Sequence, residues 1–199
     1  MSRARRLPAA LSAALILAVG MGFGRFAFTG LYPLMVRDGV LSVTGGSLAA
    51  SANYAGYLLG ALLLARSHER HAARICLIAL VGTLAALAAM AIPAAVWFAV
   101  GVRLLAGVLT AMVLVSAAQW LLQSMGESHG APMMFAGVGV GILVSAELIA
   151  AGNAFGLGSA SIWCVLALAG LALSLLATPA LGRAAPPMPQ QTTNGTWQG

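Results

Sequence analysis

The sequence predicts an all-α protein, a polytopic membrane bundle of six transmembrane helices built as two three-helix repeats. The first observation is composition. The chain of 199 residues is 61% hydrophobic and 7% charged, whereas soluble domains devote about a quarter of their residues to charge. So few charges leave most of the surface to lipid. The second is the spacing of the charges. From Ile75 to Gly126 the only charge is Arg103, and from Leu148 to Gly182 there is none. Each stretch exceeds the roughly 20 residues of one crossing and must fold back. The third is pattern. These Ala/Leu/Val runs lack the alternation of a barrel strand, so of the two structures that satisfy the backbone in lipid, helices are expected.

Taken in order, α1 is expected over residues 9–36, α2 over 47–65 and α3 over 75–92. Pro93 marks a tight turn into α4, 94–122. Pro132 opens α5, 132–152, and a turn containing Gly152, Asn153, Gly156 and Gly158 leads to α6, 159–178, with Pro179 at the exit. Residues 1–8 form a basic arm, 9–178 the membrane domain, and 179–199, rich in Pro, Gln and Thr, a disordered tail. The stretch from Arg3 to Gly20 has the layout of a secretory signal. The apolar run resumes beyond Arg25, which favours an uncleaved first span. The Asn194-Gly195-Thr196 sequon falls on the tail, on the side that glycosylation does not reach.

Arginine bookkeeping sets the topology. Arg3, Arg5 and Arg6 precede α1, Arg66, Arg70 and Arg74 lie between α2 and α3, and Arg183 follows α6. Six spans put all seven on one side and leave Arg37 on the other, so both termini are expected in the cytoplasm of a bacterial inner membrane. There is no lysine, and the net charge of +6 comes from arginines at helix ends, which is a topology signal and not a nucleic-acid footprint. Cys76 and Cys164 fall near opposite faces, too far apart for a disulfide.

Three charges interrupt the spans. A charge at the bilayer centre costs about 2.5–3.5 kcal/mol on insertion scales and normally faces a bundle interior or a wet cavity. Arg25, Arg103 and Glu147 are expected roughly 16, 14 and 8 Å of helix from the outer ends of α1, α4 and α5. They are expected to border one outward cavity, with Glu147 partnering an arginine. A structural ion pair between helices is the plainer reading of the same positions. Gly20, Gly22 and Gly24 strip bulk from the backbone beside Arg25. By the same logic α1, α4 and α5 should face inward, while the uncharged α3 and α6 face lipid, giving the internal symmetry of nested transporter repeats. Gly20/Gly24, Gly56/Gly60 and Gly137/Gly141 are GxxxG pairs, read as helix packing. Asn53, Tyr54 and Tyr57 form a polar patch that lines a pathway or bonds a neighbouring helix.

Several classes drop out. His68-Glu69-Arg70-His71 lacks the i, i+4 histidine spacing of a zinc-protease helix, so no metal is expected. Gly137, Gly139 and Gly141 follow no strand, which removes dinucleotide binding. No nucleophile stands beside a base and no carboxylates pair, so neither an enzyme nor a cofactor is expected.

The run Met21-Gly22-Phe23-Gly24-Arg25-Phe26-Ala27-Phe28-Thr29-Gly30-Leu31-Tyr32-Pro33-Leu34-Met35, followed by Asn53-Tyr54-Ala55-Gly56-Tyr57-Leu58-Leu59-Gly60-Ala61, resembles the YbfB/YjiJ-type branch of the major facilitator superfamily (MFS). Arg103 with Gly107 resembles the superfamily's fourth-helix Arg-x-x-x-Gly motif. The resemblance covers about residues 8–178. It implies secondary transport of a small solute by alternating access, often driven by an ion gradient such as protons, with the first and fourth helices lining the cavity. The loop from Arg66 to Arg74 departs from the superfamily pattern: it keeps the basic charge but lacks the Asp and the second Gly. Superfamily members have about twelve helices and six are expected here, so the chain resembles an amino-terminal half of the MFS fold. It is expected to need a partner half or a homodimer. The rival is a truncated or non-transporting integral membrane protein, such as an assembly subunit.

Overall fold

A computed structural model describes residues 3–65 and 71–181. The expected tail beyond residue 181, and Arg66, His68, Glu69, Arg70 and Arg183, lie outside the described residues. Among the described residues six helices are long and apolar enough to cross a membrane. α1 is continuous but changes winding twice: α-helix over Arg3–Leu17, π-helix over Ala18–Phe26, α-helix again over Ala27–Arg37. α2 is Val43–Leu64, α3 is Ala72–Ala89, and α4 is Val96–Ala118, extended by a π-helical turn over Gln119–Ser124. α5 is Ala131–Ala154 and α6 is Ser159–Ala177.

α2 starts four residues before the expected position because the Ser42 hydroxyl accepts a hydrogen bond from Gly45 N–H at 3.0 Å, an N-cap that satisfies a free donor of the first turn. At the other extreme, Thr178–Ala180 form a 3₁₀ turn, and Ala180 and Leu181 are buried. The packed chain therefore continues past Pro179, the expected start of the tail.

Two apolar clusters stack along the bundle. One, at the end where α1 begins and α6 finishes, joins Ala9, Ala13, Ile16, Cys76, Trp120, Leu121, Met134 and Leu181. The other, at the far end, joins Phe23, Phe28, Leu31, Met35, Met90, Ile149, Trp163 and Leu166. Between them lies a layer of small and polar residues contributed by several helices: Gly20, Gly22 and Gly24 of α1, Thr83 of α3, Arg103 and Thr110 of α4, and Ser145 of α5.

The helices pair in a repeated pattern. α2 packs along α4, and α5 packs along α1. α3 lies against α4, α6 against α1, and α3 and α6 touch. The expectation that α5 faces inward is corrected. Of the most apolar stretch of each helix, 72% is buried for α1 but 28% for α5, less than for α3 (39%) or α6 (33%). α5 buries one stripe, Met134, Gly137, Gly141, Ser145, Ile149 and Gly152, and α6 carries the fully buried Trp163 into the core. One ionisable residue did not decide which way α5 faces; its glycine stripe did.

At the far end, Arg37 donates to Asn153 Oδ1 at 2.6 Å and to Asp38 Oδ1 at 2.9 Å. Asp38 accepts from Ser159 N–H at 2.6 Å. The end of α1 is thus fastened to the end of α5 and the start of α6, which Asp38 caps from outside the helix.

Candidate functional site

The site grows from the glycines of α1. A π-helix is wider than an α-helix and is uncommon beyond one turn, so nine residues of it need support from neighbours. Here the neighbours donate hydrogen bonds to its carbonyls. Arg103 Nη1 donates to Gly24 O at 3.0 Å, and Nη2 to Arg25 O at 3.1 Å. The Thr110 and Ser145 hydroxyls lie 3.4 and 3.5 Å from Gly20 O and Gly22 O but donate within their own helices, to Ala106 O at 2.7 Å and Ile142 O at 3.0 Å. Irregular backbone at membrane depth is tolerated where such partners supply its polar needs.

The glycines are required by close approach. A side chain on Gly22 would strike the backbone of Gly141, and one on Gly24 would strike Thr83.

Arg103 is 3% exposed. Its guanidinium lies 4.5 Å from the Phe28 ring centroid, a cation–π contact, while its Nε is buried without an acceptor. Its own carbonyl accepts from Asn53 Nδ2 at 2.9 Å, so Asn53 ties α2 to α4 beside the arginine. The crevice flanking Arg103, lined by Gly24, Thr83, Leu87, Met90 and Trp163 among others, is too narrow to seat a water molecule.

Arg25 is placed differently. It is half-buried, and its guanidinium stacks 4.2 Å from the Tyr57 centroid, 5.0 Å from Tyr54 and 5.7 Å from Phe26. Tyr54 is 64% exposed, so this aromatic nest opens onto the surface of the bundle. Among the described residues neither arginine meets a carboxylate; Arg37 and Asp38 form an ion pair at the far end of the bundle.

The structure thus brings together Arg25, Arg103, Asn53 and Tyr54. It does not bring Glu147 to them, and the expected pairing of Glu147 with an arginine is corrected. Glu147 is exposed. It lies two residues beyond Ser145, about 200° around the helix, so it points away from the stripe that contacts α1. The gap to the arginines is closed instead by Arg103 bonding to main-chain carbonyls of α1.

Phe28, Tyr57, Thr110 and Ser145 complete the arrangement. Thr110 and Ser145 were legible in principle, since Thr110 is two turns after Arg103 and Ser145 continues the Gly137/Gly141 stripe. The π-helix had no signal beyond the glycines themselves.

The packing glycines fall where close contact demands them. Side chains on Gly56 and Gly60 would strike the carbonyls of Leu104 and Val108, and one on Gly107 that of Asn53. Side chains on Gly137 and Gly141 would strike the carbonyls of Ala14 and Ala18. Gly20 lies against Val113.

In comparison with known proteins, a family model described as "Uncharacterised MFS-type transporter YbfB" matches residues 17–197. No curated protein and no solved structure gives a significant match. The matched span holds all of the arginine layer and all but the start of the six-helix bundle, and the chain accordingly belongs to the YbfB-type family of MFS transporters.

Proposed function

We propose that this six-helix unit is one half of a secondary-active transporter that moves a small anionic or zwitterionic solute by alternating access, paired with a second copy or a partner half. The observation that carries the reading is Arg25: a cation within a membrane-spanning helix, without a counter-ion among the described residues, held on aromatic rings at a surface opening. Charges at such depth mark substrate or ion pathways. A guanidinium whose stacking leaves donors free suits a carboxylate or phosphate. Asn53 and Tyr54 flank the same path. Arg103 adds positive charge and holds the backbone that presents Arg25. Glu147 is the carboxylate available within the spans to accept a proton if transport is proton-coupled. The unit sits in a bacterial inner membrane with both termini cytoplasmic, so the Arg37–Asp38 end faces outward.

The test is solute uptake or efflux in proteoliposomes under imposed proton and sodium gradients, with an anion panel. Transport by the wild type, lost in Arg25→Ala, is the expected result. If the wild type moves nothing in any gradient, the unit is a non-transporting membrane subunit. The tight packing around Arg103 favours that second reading, because a buried guanidinium bonded to two main-chain carbonyls of α1 acts as a structural tie.

A further inference from the structure

Two places along α1 disturb its hydrogen-bond ladder, one beyond the other. The first is the π-helical stretch. Ala27 N–H donates to Gly22 O, five residues back, whereas α-helix bonds reach four residues back. A ladder that passes from the wider winding to the narrower one skips a carbonyl and holds one residue more than plain α-helix over the same bonds. Arg103 supplies donors at that exit, to Gly24 O at 3.0 Å and Arg25 O at 3.1 Å. Its Nε is buried without a partner, so the guanidinium is held here incompletely satisfied.

The second is Pro33, inside the α-helical end Ala27–Arg37. Proline has no N–H to give the ladder, and in an α-helix its ring crowds the carbonyl four residues back, here that of Thr29. A wider winding gives up no donor at Pro33 and relieves the crowding. Thr29, Gly30 and Pro33 are exposed, so widening there presses on lipid and not on a packed helix. On the buried side of the same stretch two cavities, each with room for about one water, border Met35.

Both ends of α1 are fixed. Ile16 and Leu17 are packed in the cluster where α1 begins. At the far end Arg37 bonds Asn153 and Asp38 bonds Ser159 N–H. The extra residue can pass along the helix while the ends stay in place, and each residue that it passes turns by about 100°. Arg25 and Thr29 lie between the two places.

We infer that α1 has two registers and that Arg103 is the latch between them. With Arg103 on the carbonyls of Gly24 and Arg25, the wide stretch lies at Ala18–Phe26 and Arg25 rests on Tyr54 and Tyr57. When Arg103 lets go, the wide stretch moves outward to Pro33 and Arg25 turns off the tyrosine rings. The two registers do not depend on what the protein transports or on whether it transports.

The experiment is the distance between nitroxide labels in lipid nanodiscs, on a Cys76→Ala, Cys164→Ala background. One label is at Thr29→Cys, in the part that turns, and the other at Val140→Cys on α5. A second pair, Leu11→Cys with Val140→Cys, reports the fixed end. Turning displaces position 29 by about 8 Å. The wild type gives mainly one 29–140 distance. R103A puts more than half of the molecules at a second distance. R103K gives a smaller share of it, because one ammonium does not bridge both carbonyls as a guanidinium does. P33A removes the second place, so R103A combined with P33A returns to the wild-type distance, a rescue that a merely structural role for Arg103 would not show. The 11–140 distance is the same throughout. Three results overturn the proposal: R103A and R103K that keep the wild-type distance, a second distance undiminished when P33A is added, or a change at 11–140 as large as that at 29–140.

Discussion

The α2–α4 contact and the α5–α1 contact are built to one plan and carry different chemistry. In each, two glycines four residues apart lie on two carbonyls four residues apart: Gly56 and Gly60 on Leu104 and Val108, Gly137 and Gly141 on Ala14 and Ala18. Helices this close gain dispersion and weak Cα–H···O contacts, which drive association in lipid where the hydrophobic effect between helices is absent. The matched neighbouring positions diverge. Three residues before the first glycine stands Asn53 in one contact and Met134 in the other, both buried. One residue before the first carbonyl stands Arg103 in one and Ala13 in the other. The repeat supplies a symmetric frame, and polarity was placed on one side of it. Packing needs only small residues at the right interval, so it tolerates duplication. A buried guanidinium needs specific acceptors, and only the π-helical stretch of α1 provides them.

Breaking the frame should have the largest effect, equal on both sides. Gly56→Val and Gly137→Val each force a side chain into main-chain atoms, and each should destabilise the bundle by about 3 kcal/mol, read from unfolding in mixed micelles. A marked inequality would mean that the two contacts are not equivalent.

Next comes the chemistry carried on one side only. Arg103→Ala leaves Gly24 O and Arg25 O without their donors and should cost about 2 kcal/mol, with altered amide exchange along residues 18–26 as the local sign. Ala13→Ser, at the matched position, should leave that segment's exchange unchanged.

A smaller contrast separates Asn53 from Met134. Asn53→Leu removes an interhelical hydrogen bond and should cost about 1 kcal/mol. Met134→Leu keeps volume and polarity and should cost less than about 1.5 kcal/mol, through repacking alone. Only the Asn53 change should perturb the environment of Arg103.

The smallest effect concerns the helices that end each repeat. α6 has its first turn capped by Asp38, whereas His71 at the start of α3 makes no side-chain cap. The Ser159 N–H, then Arg37 and the Ser159 hydroxyl, hold the Asp38 carboxyl at about 2, below its ordinary 3.8. A lowered folded-state value means that the stabilisation is complete above about pH 4 and is lost as pH falls through about 2. Unfolding measured from pH 5 to pH 2 should show this acid sensitivity in the wild type and less of it in Asp38→Asn.

Much of this was legible without coordinates. The six spans follow from the placement of charge, because charge cannot be spread through lipid-facing helices. The glycine pairs announce close contacts, because no other residue lets two helices approach so nearly. Arg25, Arg103 and Asn53 stand out as polar groups where polarity is penalised. The tertiary structure alone decided which groups meet. Arg103 turned to the carbonyls of α1 and not to Glu147, because the α5 stripe that fits α1 consists of Gly137, Gly141 and Ser145, and this rotates Glu147 to the outside. It also decided that the π-helical stretch of α1 finds its external donor in α4, where Arg103 reaches the carbonyls of Gly24 and Arg25. Composition and spacing determine which residues need partners, but the rotation of each helix about its axis determines which partners they find.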